Sequence, residues 1–370
     1  MADIYFRTDG NNKIATGHVM RCLAIARACV KRGAKIKFIV SDEQSSALMQ
    51  ERFSVAQEFE IYCLNSDYTD LPKELPLLSA LSVQDKSTSC SSKPWIFVDS
   101  YYATPSYLLS LRENFRVAYL DDLRSFDCPV DLVINYDTGE DCDYYADAAR
   151  KLLGVQYTPL REQFSNTSYT VRPTVEHVLL STGGTDPYAF AEHLLKDIYQ
   201  NTQTLQSIHY HILTGSTNTR YANLVSFAQM YPTVHIHEGI SDVASLMASC
   251  DLAVCAGGTT LCELCAVGVP TVSYLMAENQ RTAVETYAGL DLIPCAGDIR
   301  PKTGVDHNLQ ADVSSMPDVL PPIDHSVISS VLSFMTYMSQ NLSARTESSQ
   351  SMRAFLNGAG ADQIACELLS

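Results

Sequence analysis

Short apolar runs recur along this chain of 370 residues, each ending in polar or glycine residues and separated from the next by a helix-like stretch. The runs are residues 3–7, 35–40, 95–98, 116–120 and 131–134 in the first half, and residues 177–180, 209–213, 234–237, 251–255 and 271–275 in the second. Such runs are typical of parallel strands that are buried on both faces and whose carboxyl ends line a crevice. The alternation therefore predicts the α/β class with two doubly wound Rossmann-like domains, and 370 residues suffice for two cores.

A stretch without periodicity, from about residue 163 to residue 174, interrupts the alternation. The expected parts are an N-terminal domain over residues 1–165, a second domain over residues 172–345, and a C-terminal helical segment over residues 346–370 that packs back on the N-terminal domain. Polar composition predicts a solvated loop at residues 82–93, and several prolines and aspartates predict an irregular insertion at residues 296–325.

The charge balance excludes nucleic acid as a bulk partner. The chain has 42 acidic and 26 basic residues, a formal net charge of −16, whereas surfaces that bind nucleic acid are basic. No apolar run approaches the length of a membrane span, and the start of the sequence lacks a secretory signal pattern. Six of the twelve cysteines are noted for apolar or small neighbours, and most of these are expected in the core: Cys22, Cys29, Cys250, Cys255, Cys262 and Cys265. The lone CxxC pair, Cys262 and Cys265, is not expected to bind a metal. We expect a cytoplasmic protein without a bound metal.

The stretch from Ile14 to Arg21 places Gly17 and His18 at the tip of a strand-to-helix turn. A glycine there lets the backbone approach a ligand, and the N–H groups of the following helix face any phosphate. A histidine there can remove a proton from water near neutral pH. A helix-capping turn with an exposed histidine fits the same residues.

Two loops in the second half have a similar design of strand, small residues and helix: Gly183-Gly184-Thr185 and Gly257-Gly258-Thr259-Thr260. Neither matches the Walker or dinucleotide-binding pattern, which argues against a P-loop NTPase and a dehydrogenase. Together with the Gly17-His18 turn they indicate a shared diphosphate crevice. Glu263 suits a ribose or, equally, the dipole of its helix, and the amides of Asn279 and Gln280 suit sugar groups or a turn.

These features, taken in order, resemble a family of UDP-sugar hydrolases of pseudaminic acid biosynthesis, which have the GT-B fold of nucleotide-sugar glycosyltransferases, two Rossmann-like domains facing a cleft. The matching segments are residues 7–9, 17–24, 99–101, 121–123, 153–164, 182–187, 256–270, 277–280 and 357–361. These segments span nearly the whole chain. No single segment identifies the family, but the complete set does.

The resemblance implies hydrolysis of UDP-2,4-diacetamido-2,4,6-trideoxy-β-L-altrose to the free sugar and UDP, with inversion, water as acceptor and no metal or other cofactor. It implies that His18 is the general base. The residues expected at the nucleotide are Gly17, Gly184, Thr185, Gly257, Gly258, Thr259, Thr260 and Glu263, and those expected at the substrate are Arg7, Asp9, Arg21, Tyr101, Arg161, Asn279 and Gln280.

The implied reaction requires one base and no second catalytic carboxylate. A nucleoside diphosphate leaves readily once helix N-termini and backbone N–H groups neutralise its charge, so a single displacement by water needs one base. Asp9 is a candidate partner for that base by order along the chain. His209, His211, His235 and His237 alternate on strands and are expected to be structural or surface residues.

Two other functions fit the same pattern: a GT-B glycosyltransferase that uses a UDP-sugar donor, and a non-catalytic sugar-nucleotide-binding protein. The sequence does not fix the oligomeric state, and a monomer is the expectation.

Overall fold

A computed structural model describes residues 3–11, 14, 16–52, 58–85, 93–121, 123–136, 143–215, 218–301 and 320–370. The chain divides into two compact units. The first unit consists of Met1–Glu162 together with Gly358–Ser370, and the second unit is Gln163–Asn357. The later boundary therefore falls after the next-to-last helix, about a dozen residues beyond the boundary expected from the sequence.

The first unit is built on a seven-stranded sheet in the order β3-β2-β1-β4-β5-β6-β7, in which all neighbours are parallel. Its strands are β1 (Asp3–Thr8), β2 (Lys35–Val40), β3 (Glu60–Cys63), β4 (Trp95–Asp99), β5 (Arg116–Leu120), β6 (Leu132–Asn135) and β7 (Lys151–Leu153). Its α-helices are α1 (Gly17–Lys31), α2 (Glu43–Ala47), α3 (Leu75–Asp85) and α4 (Pro105–Leu111), with a short α5 (Glu162–Asn166) at the boundary between the units.

The second unit is built on a six-stranded parallel sheet in the order β10-β9-β8-β11-β12-β13. Its strands are β8 (His177–Ser181), β9 (His209–Thr214), β10 (Val234–Glu238), β11 (Leu252–Ala256), β12 (Thr271–Leu275) and β13 (Cys295–Asp298). Its helices are α6 (Phe190–Asn201), α7 (Tyr221–Met230), α8 (Val243–Ser249), α9 (Thr259–Val267), α10 (Arg281–Gly289), α11 (His325–Gln340) and α12 (Leu342–Phe355).

The last helix, α13 (Gly360–Leu368), belongs to the first unit. Its apolar face, formed by Ile364, Ala365 and Leu368, joins the core cluster that α1 buries against the sheet. A glycine is needed where this helix begins, because a Cβ on Gly360 would lie 2.3 Å from the carbonyl oxygen of Thr158. The helix therefore packs on the same face of the first sheet as α1.

Each sheet has one point where the strand order reverses. In the first unit β1 lies between β2 and β4, and in the second unit β8 lies between β9 and β11. The loops that follow the two central strands at such a point leave in opposite directions and open a crevice at the carboxyl edge of the sheet, where ligands bind in doubly wound folds. All three glycine loops singled out in the sequence follow strands at these two points.

The predicted alternation of strands and helices is confirmed, and three strands were missed. These are β3, β7 and β13, which have three or four residues each and lie at or near sheet edges, where half-exposed residues give no apolar run. The loop expected at residues 82–93 begins inside α3, and the irregular stretch expected at residues 296–325 begins inside β13. Residues 86–92 and 302–319 of those stretches lie outside the described residues.

Among the described residues, the helices are all too short or too polar to cross a membrane.

Candidate active site

His18 and Asp99 meet at the point where the order of the first sheet reverses. His18 is the second residue of α1, and Asp99 is the last residue of β4, paired in register with Thr8 at the end of β1. Both side chains are buried, with His18 4% and Asp99 1% exposed. The imidazole Nδ1 lies 2.5 Å from Oδ1 of Asp99. The fold thus joins a histidine to a carboxylate 81 positions away along the chain.

The Asp99 contact fixes which nitrogen of His18 carries the proton. Burial opposes the charged form of Asp99, but Arg21 and His18 outweigh it and hold the pKa of this carboxyl well below its usual range. Since Asp99 is ionised, the proton in the short contact belongs to Nδ1 of the imidazole. The neutral ring then presents Nε2 as its proton acceptor, which is the tautomer that a general base requires.

Arg21 completes the cluster from one turn further along α1. Its Nε lies 2.6 Å from Oδ2 of Asp99 and its Nη2 lies 2.5 Å from Oδ1, a two-point contact with the carboxylate. Its Nη1 donates to the hydroxyl of Tyr136 at 2.7 Å, just past the end of β6. The sequence predicted Arg21 at the substrate, and the structure places its guanidinium against Asp99 and Tyr136.

Tyr101 lies over the His18 ring. The two ring centroids are 4.3 Å apart at an interplanar angle of 75°, an edge-on contact, and Tyr101 is 48% exposed. Tyr102 beside it is 39% exposed and packs edge-on against Tyr68 at 5.5 Å. The loop after β4 therefore presents an aromatic ring, that of Tyr101, next to His18.

Asp9 is not the partner of His18, which corrects the order-based candidate from the sequence. Its Oδ1 accepts from the backbone N–H of Ser41 at 2.6 Å, and its Oδ2 accepts from Nη1 of Arg7 at 2.6 Å. Arg7 is fully buried and also donates to Glu74 at 2.8 Å. Arg7 and Asp9 thus bind each other and their neighbours inside the first unit.

In the second unit, the two glycine loops lie side by side because they follow neighbouring strands. β8 and β11 pair Ser181 with Cys255, and the loops start immediately beyond these residues. Gly184, Thr185, Gly258 and Thr259 are exposed, and Thr260 is partly buried. Gly258 precedes α9, so the first N–H groups of that helix open onto the loop.

The two glycines of the second loop have different roles. A Cβ on Gly257 would lie 2.2 Å from Cγ2 of Val284, so this position must be glycine for packing. A Cβ on Gly258 would meet nothing within 4 Å, and the same holds for Gly17 in the first unit. Gly17 and Gly258 therefore leave space beside a helix start that the packing of the protein does not use.

The remaining predicted residues occupy varied positions. Glu263 lies partly buried in the second turn of α9, Asn279 is exposed after β12, and Arg161 is partly buried just before α5. The side chain of Gln280 accepts the backbone N–H of Met276 at 3.0 Å, which is the turn role that the sequence left open. Asp99 and Tyr136 were not among the predicted site residues. Asp99 could have been found from the sequence as a carboxylate at the end of a buried strand, because such a strand can lie beside β1.

Within the described part of the chain, no three histidine, cysteine, aspartate or glutamate side chains are grouped so that they hold a metal ion.

No family model matches the chain. The chain is 25% identical over 157 residues to the spore coat polysaccharide biosynthesis protein SpsG of Bacillus subtilis, covering 42% of this chain and 46% of SpsG. It is 24% identical over 304 residues to an uncharacterized protein of Methanocaldococcus jannaschii, covering 76% of this chain and 57% of that protein. The chain thus spans about half the length of the curated relatives it matches.

Solved structures show the fold. Acinetobacter baumannii MurG superposes with a TM-score of 0.63 at 14% identity, covering 100% of this chain and 99% of MurG. Medicago truncatula UGT71G1, solved with UDP-glucose, superposes with a TM-score of 0.60 at 9% identity, covering 100% of this chain and 98% of that one. The chain has the GT-B fold of two Rossmann-like domains, as the sequence predicted.

Proposed function

We propose that this protein hydrolyses UDP-2,4-diacetamido-2,4,6-trideoxy-β-L-altrose to the free sugar and UDP, with inversion at the anomeric carbon. The observation that carries the reaction type is the His18–Asp99 pair, whose geometry presents Nε2 as a proton acceptor at the carboxyl edge of the first sheet. The choice of sugar rests on the resemblance of the sequence segments. The likeness to UGT71G1, solved with UDP-glucose, and to SpsG, a polysaccharide biosynthesis protein, supports the substrate class.

The reaction is a single displacement. Nε2 of His18 takes a proton from water while the water oxygen forms a bond to the anomeric carbon. The bond between that carbon and the diphosphate oxygen breaks, and UDP leaves with the electron pair. Asp99 accepts the Nδ1 proton in a hydrogen bond throughout, so it stabilises the charged imidazole without being protonated itself.

In this proposal the second unit holds the nucleotide. The exposed Gly184, Thr185, Gly258 and Thr259 offer backbone N–H groups and hydroxyls for the diphosphate, and the start of α9 adds the positive end of a helix dipole. Glu263, in the second turn of the same helix, accepts the ribose hydroxyls. Charge that develops on the departing oxygen is then stabilised without proton donation.

Transfer of the sugar to another acceptor is the second candidate function, because the chain shares its fold with a UDP-glucosyltransferase from Polygonum tinctorium, at a TM-score of 0.61 and 12% identity. A base in the position of His18 would activate an acceptor hydroxyl in the same way as water. The two functions differ in whether UDP is released when water is the sole acceptor.

Phosphorus NMR on the purified full-length protein separates these functions. The protein is incubated with the UDP-diacetamido sugar, with no added acceptor, beside a His18→Ala variant. The proposal expects UDP to accumulate with the wild-type protein and not with the variant, while both bind UDP. UDP release that needs an added sugar or lipid acceptor would establish a transferase instead.

The glycines of the second loop test the nucleotide site separately. A methyl group in Gly258→Ala enters the open space at the start of α9, so we expect UDP to bind about tenfold more weakly or worse, with an unchanged melting temperature. Gly289→Ala is the matched control, since a Cβ there also meets nothing within 4 Å but lies at the end of α10. Unchanged UDP affinity in Gly258→Ala, measured by calorimetry, would remove this loop from the nucleotide site.

A further inference from the structure

We propose that Tyr102 is a specificity-determining residue that recognises the methyl groups of the sugar, and that Tyr68 is the positioning residue that holds its ring. This inference rests on the proposed function and deepens it, because it says how the protein distinguishes an acetylated deoxy sugar from a hydroxylated one.

Tyr101 and Tyr102 lie at the two corners of a tight turn that follows β4. The backbone N–H of Ala103 donates to the carbonyl oxygen of Ser100 at 3.4 Å, and the N–H of Tyr102 donates to Oγ of Ser100 at 3.2 Å. The corners of such turns usually hold glycine, proline, asparagine, aspartate or serine. Tyr101 is 48% exposed and Tyr102 is 39% exposed, so neither is a core residue. Turn geometry and core packing therefore leave these two rings unexplained.

Tyr68 occupies the first corner of a second tight turn, in the segment that follows β3. The N–H of Asp70 donates to the carbonyl oxygen of Asp67 at 2.9 Å and closes this turn. Tyr68 is partly buried, and its ring centroid lies 5.5 Å from that of Tyr102 at an interplanar angle of 69°. Edge-on contacts at this distance are favourable between aromatic rings. The contact therefore limits the rotation of the Tyr102 ring.

The strand order places this pair of rings at the point where the first sheet reverses. Tyr68 follows β3 and Tyr102 follows β4, and β2 and β1 lie between these strands. The segment after β3 crosses both of their carboxyl ends. The N–H of Ser66 donates to the first residue after β2 at 2.8 Å, and Glu74 accepts from Arg7 of β1 at 2.8 Å. The two rings thus meet at the edge of the sheet where doubly wound folds bind their ligands.

Tyr101 connects the pair to the proposed base. Its ring meets the His18 ring edge-on, with the centroids 4.3 Å apart, and Tyr102 is the next residue of the same turn. The Cα atoms of consecutive residues are about 3.8 Å apart. In the proposed reaction the anomeric carbon lies beside His18, so the loop after β4 is within reach of the rest of the sugar.

The aromatic ring of Tyr102 suits the methyl-bearing sugar of the proposed reaction. That sugar carries acetamido groups at carbons 2 and 4 and a methyl group at carbon 6, where glucose carries hydroxyls. Covering one methyl group with an apolar surface raises the affinity about fourfold. A hydroxyl covered in the same way loses its water without gaining a hydrogen bond, which is unfavourable. Tyr102 therefore favours the acetylated deoxy sugar over glucose.

Calorimetric titration of the full-length His18→Ala protein tests the inference, because this variant is expected to bind the UDP-sugar without consuming it. Adding Tyr102→Ala should weaken binding of the UDP-diacetamido sugar about tenfold, with the affinities for UDP and UDP-glucose within about twofold of their starting values. Adding Tyr102→Phe keeps the ring and should leave the three affinities unchanged. Tyr337→Ala, which removes a 54% exposed tyrosine of α11, is the matched control. Equal weakening for both UDP-sugars, or no weakening for either, would overturn the inference.

A double-mutant cycle tests the positioning role of Tyr68 in the same His18→Ala protein. Tyr68→Ala removes the edge-on contact, so we expect about threefold weaker binding of the UDP-diacetamido sugar and unchanged binding of UDP. Tyr68→Phe keeps the contact and should restore the affinity. In the Tyr102→Ala background, Tyr68→Ala should have no further effect, because it acts through the ring that is already absent. Additive losses would show that Tyr68 does not act through Tyr102.

The inference and the proposed function fail in different ways. If the wild-type protein releases no UDP from the diacetamido sugar, the proposed hydrolysis fails, whereas the binding comparison needs no turnover and still decides the inference. If the wild-type protein hydrolyses that sugar but Tyr102→Ala keeps the full preference for it over UDP-glucose, the inference fails and the proposed function stands.

Discussion

The protein uses histidine in two contrasting ways, one in each unit. In the first unit, His18 is bonded to a carboxylate and touches an arginine. In the second unit, five histidines lie on one face of three adjacent strands and bond to one another; they are His177, His209, His211, His235 and His237. The two groups of histidines differ in what the imidazoles bond to: a carboxylate at His18, and other imidazoles in the second unit.

The five-histidine face is an imidazole chain made possible by strand geometry. Side chains two apart on a strand share a face, and parallel pairing brings the next strand's histidines alongside. His211 is the centre: its Nε2 lies 3.0 Å from Nδ1 of His177, and its Nδ1 lies 3.0 Å from Nε2 of His237. His209 and His235 form a third contact at 2.9 Å. Each contact needs one protonated and one bare nitrogen, so two rings that bond to each other cannot both be charged.

The charged form is disfavoured on this face. Burial, and then the neighbouring imidazoles, lower the pKa of His211 to about 4, and they also lower the pKa of His235 and His237. At His18 the ring instead contacts a carboxylate and a guanidinium. The first arrangement favours neutral imidazoles that bond to one another, whereas in the proposed reaction the ring of His18 takes a proton from water.

The largest expected effect is on catalytic activity, and it distinguishes His18 in the first unit from the histidines of the second unit. His18→Ala should lower kcat for UDP release by about 100- to 10,000-fold, because the base is lost, while the melting temperature changes little. His235→Ala, on the five-histidine face, should leave kcat unchanged. Equal losses of kcat in both variants, measured with the melting temperature as a folding control, would break the comparison.

The next effect tests the carboxylate that distinguishes the first region. In Asp99→Asn the amide donates to Nδ1, so the proton moves to Nε2 and the base is blocked; we expect kcat to fall about 100-fold. Asp131→Asn is the matched control, since Asp131 bonds to Arg112 at 3.2 Å and to the Val117 N–H at 2.8 Å in the same unit. Retained activity in Asp99→Asn would show that the tautomer of His18 does not matter.

The smallest effect concerns stability in acid. The unfolded chain binds protons at His211 near pH 6.5, whereas the folded chain binds them near pH 4. The contribution of His211 is therefore fully present above pH 6.5 and is lost as the pH falls toward 4. Relative to His211→Gln, the wild-type free energy of unfolding should fall by about 2 kcal/mol over this range, after allowance for solvent screening of a half-buried group.

Two spectroscopic probes distinguish a loss of stability in the second unit from a loss in the first. The single tryptophan, Trp95, is buried in the first unit, so its fluorescence follows that unit, while circular dichroism follows both. At pH 4.5 the dichroism transition should precede the tryptophan transition.

Asp186, also in the second unit, has the opposite effect on stability, because burial raises its pKa to about 6 and folded stability then rises as the pH falls. The His211→Gln comparison cancels that contribution. The same pH dependence in wild type and variant would contradict the account of the face.

The sequence predicted the fold well because apolar runs and glycine loops are local signals. It placed Gly17 and His18 in a strand-to-helix turn and Gly258 in a loop between a strand and a helix; the structure has Gly17 and His18 at the start of α1 and Gly258 directly before α9. The contacts of His18 and Arg21 were less accessible. Asp99 ends a strand 81 residues beyond His18, and Tyr136, which accepts from Arg21, directly follows β6, so only the strand order brings them to the same edge. Asp9 is nearer in sequence, but it points to Arg7 and Ser41. The same limit hid the five-histidine chain, since the sequence shows alternation but not which strands pair.

If His18 activates water for attack on the anomeric carbon, hydrolysis in oxygen-18 water places the label in the sugar. The UDP-diacetamido sugar is incubated with the protein in labelled water, and the products are analysed by mass spectrometry before the free sugar exchanges. We expect one label in the free sugar, none in UDP, and neither product with His18→Ala. Label in UDP, or an absence of products until a glycosyl acceptor is added, would contradict it.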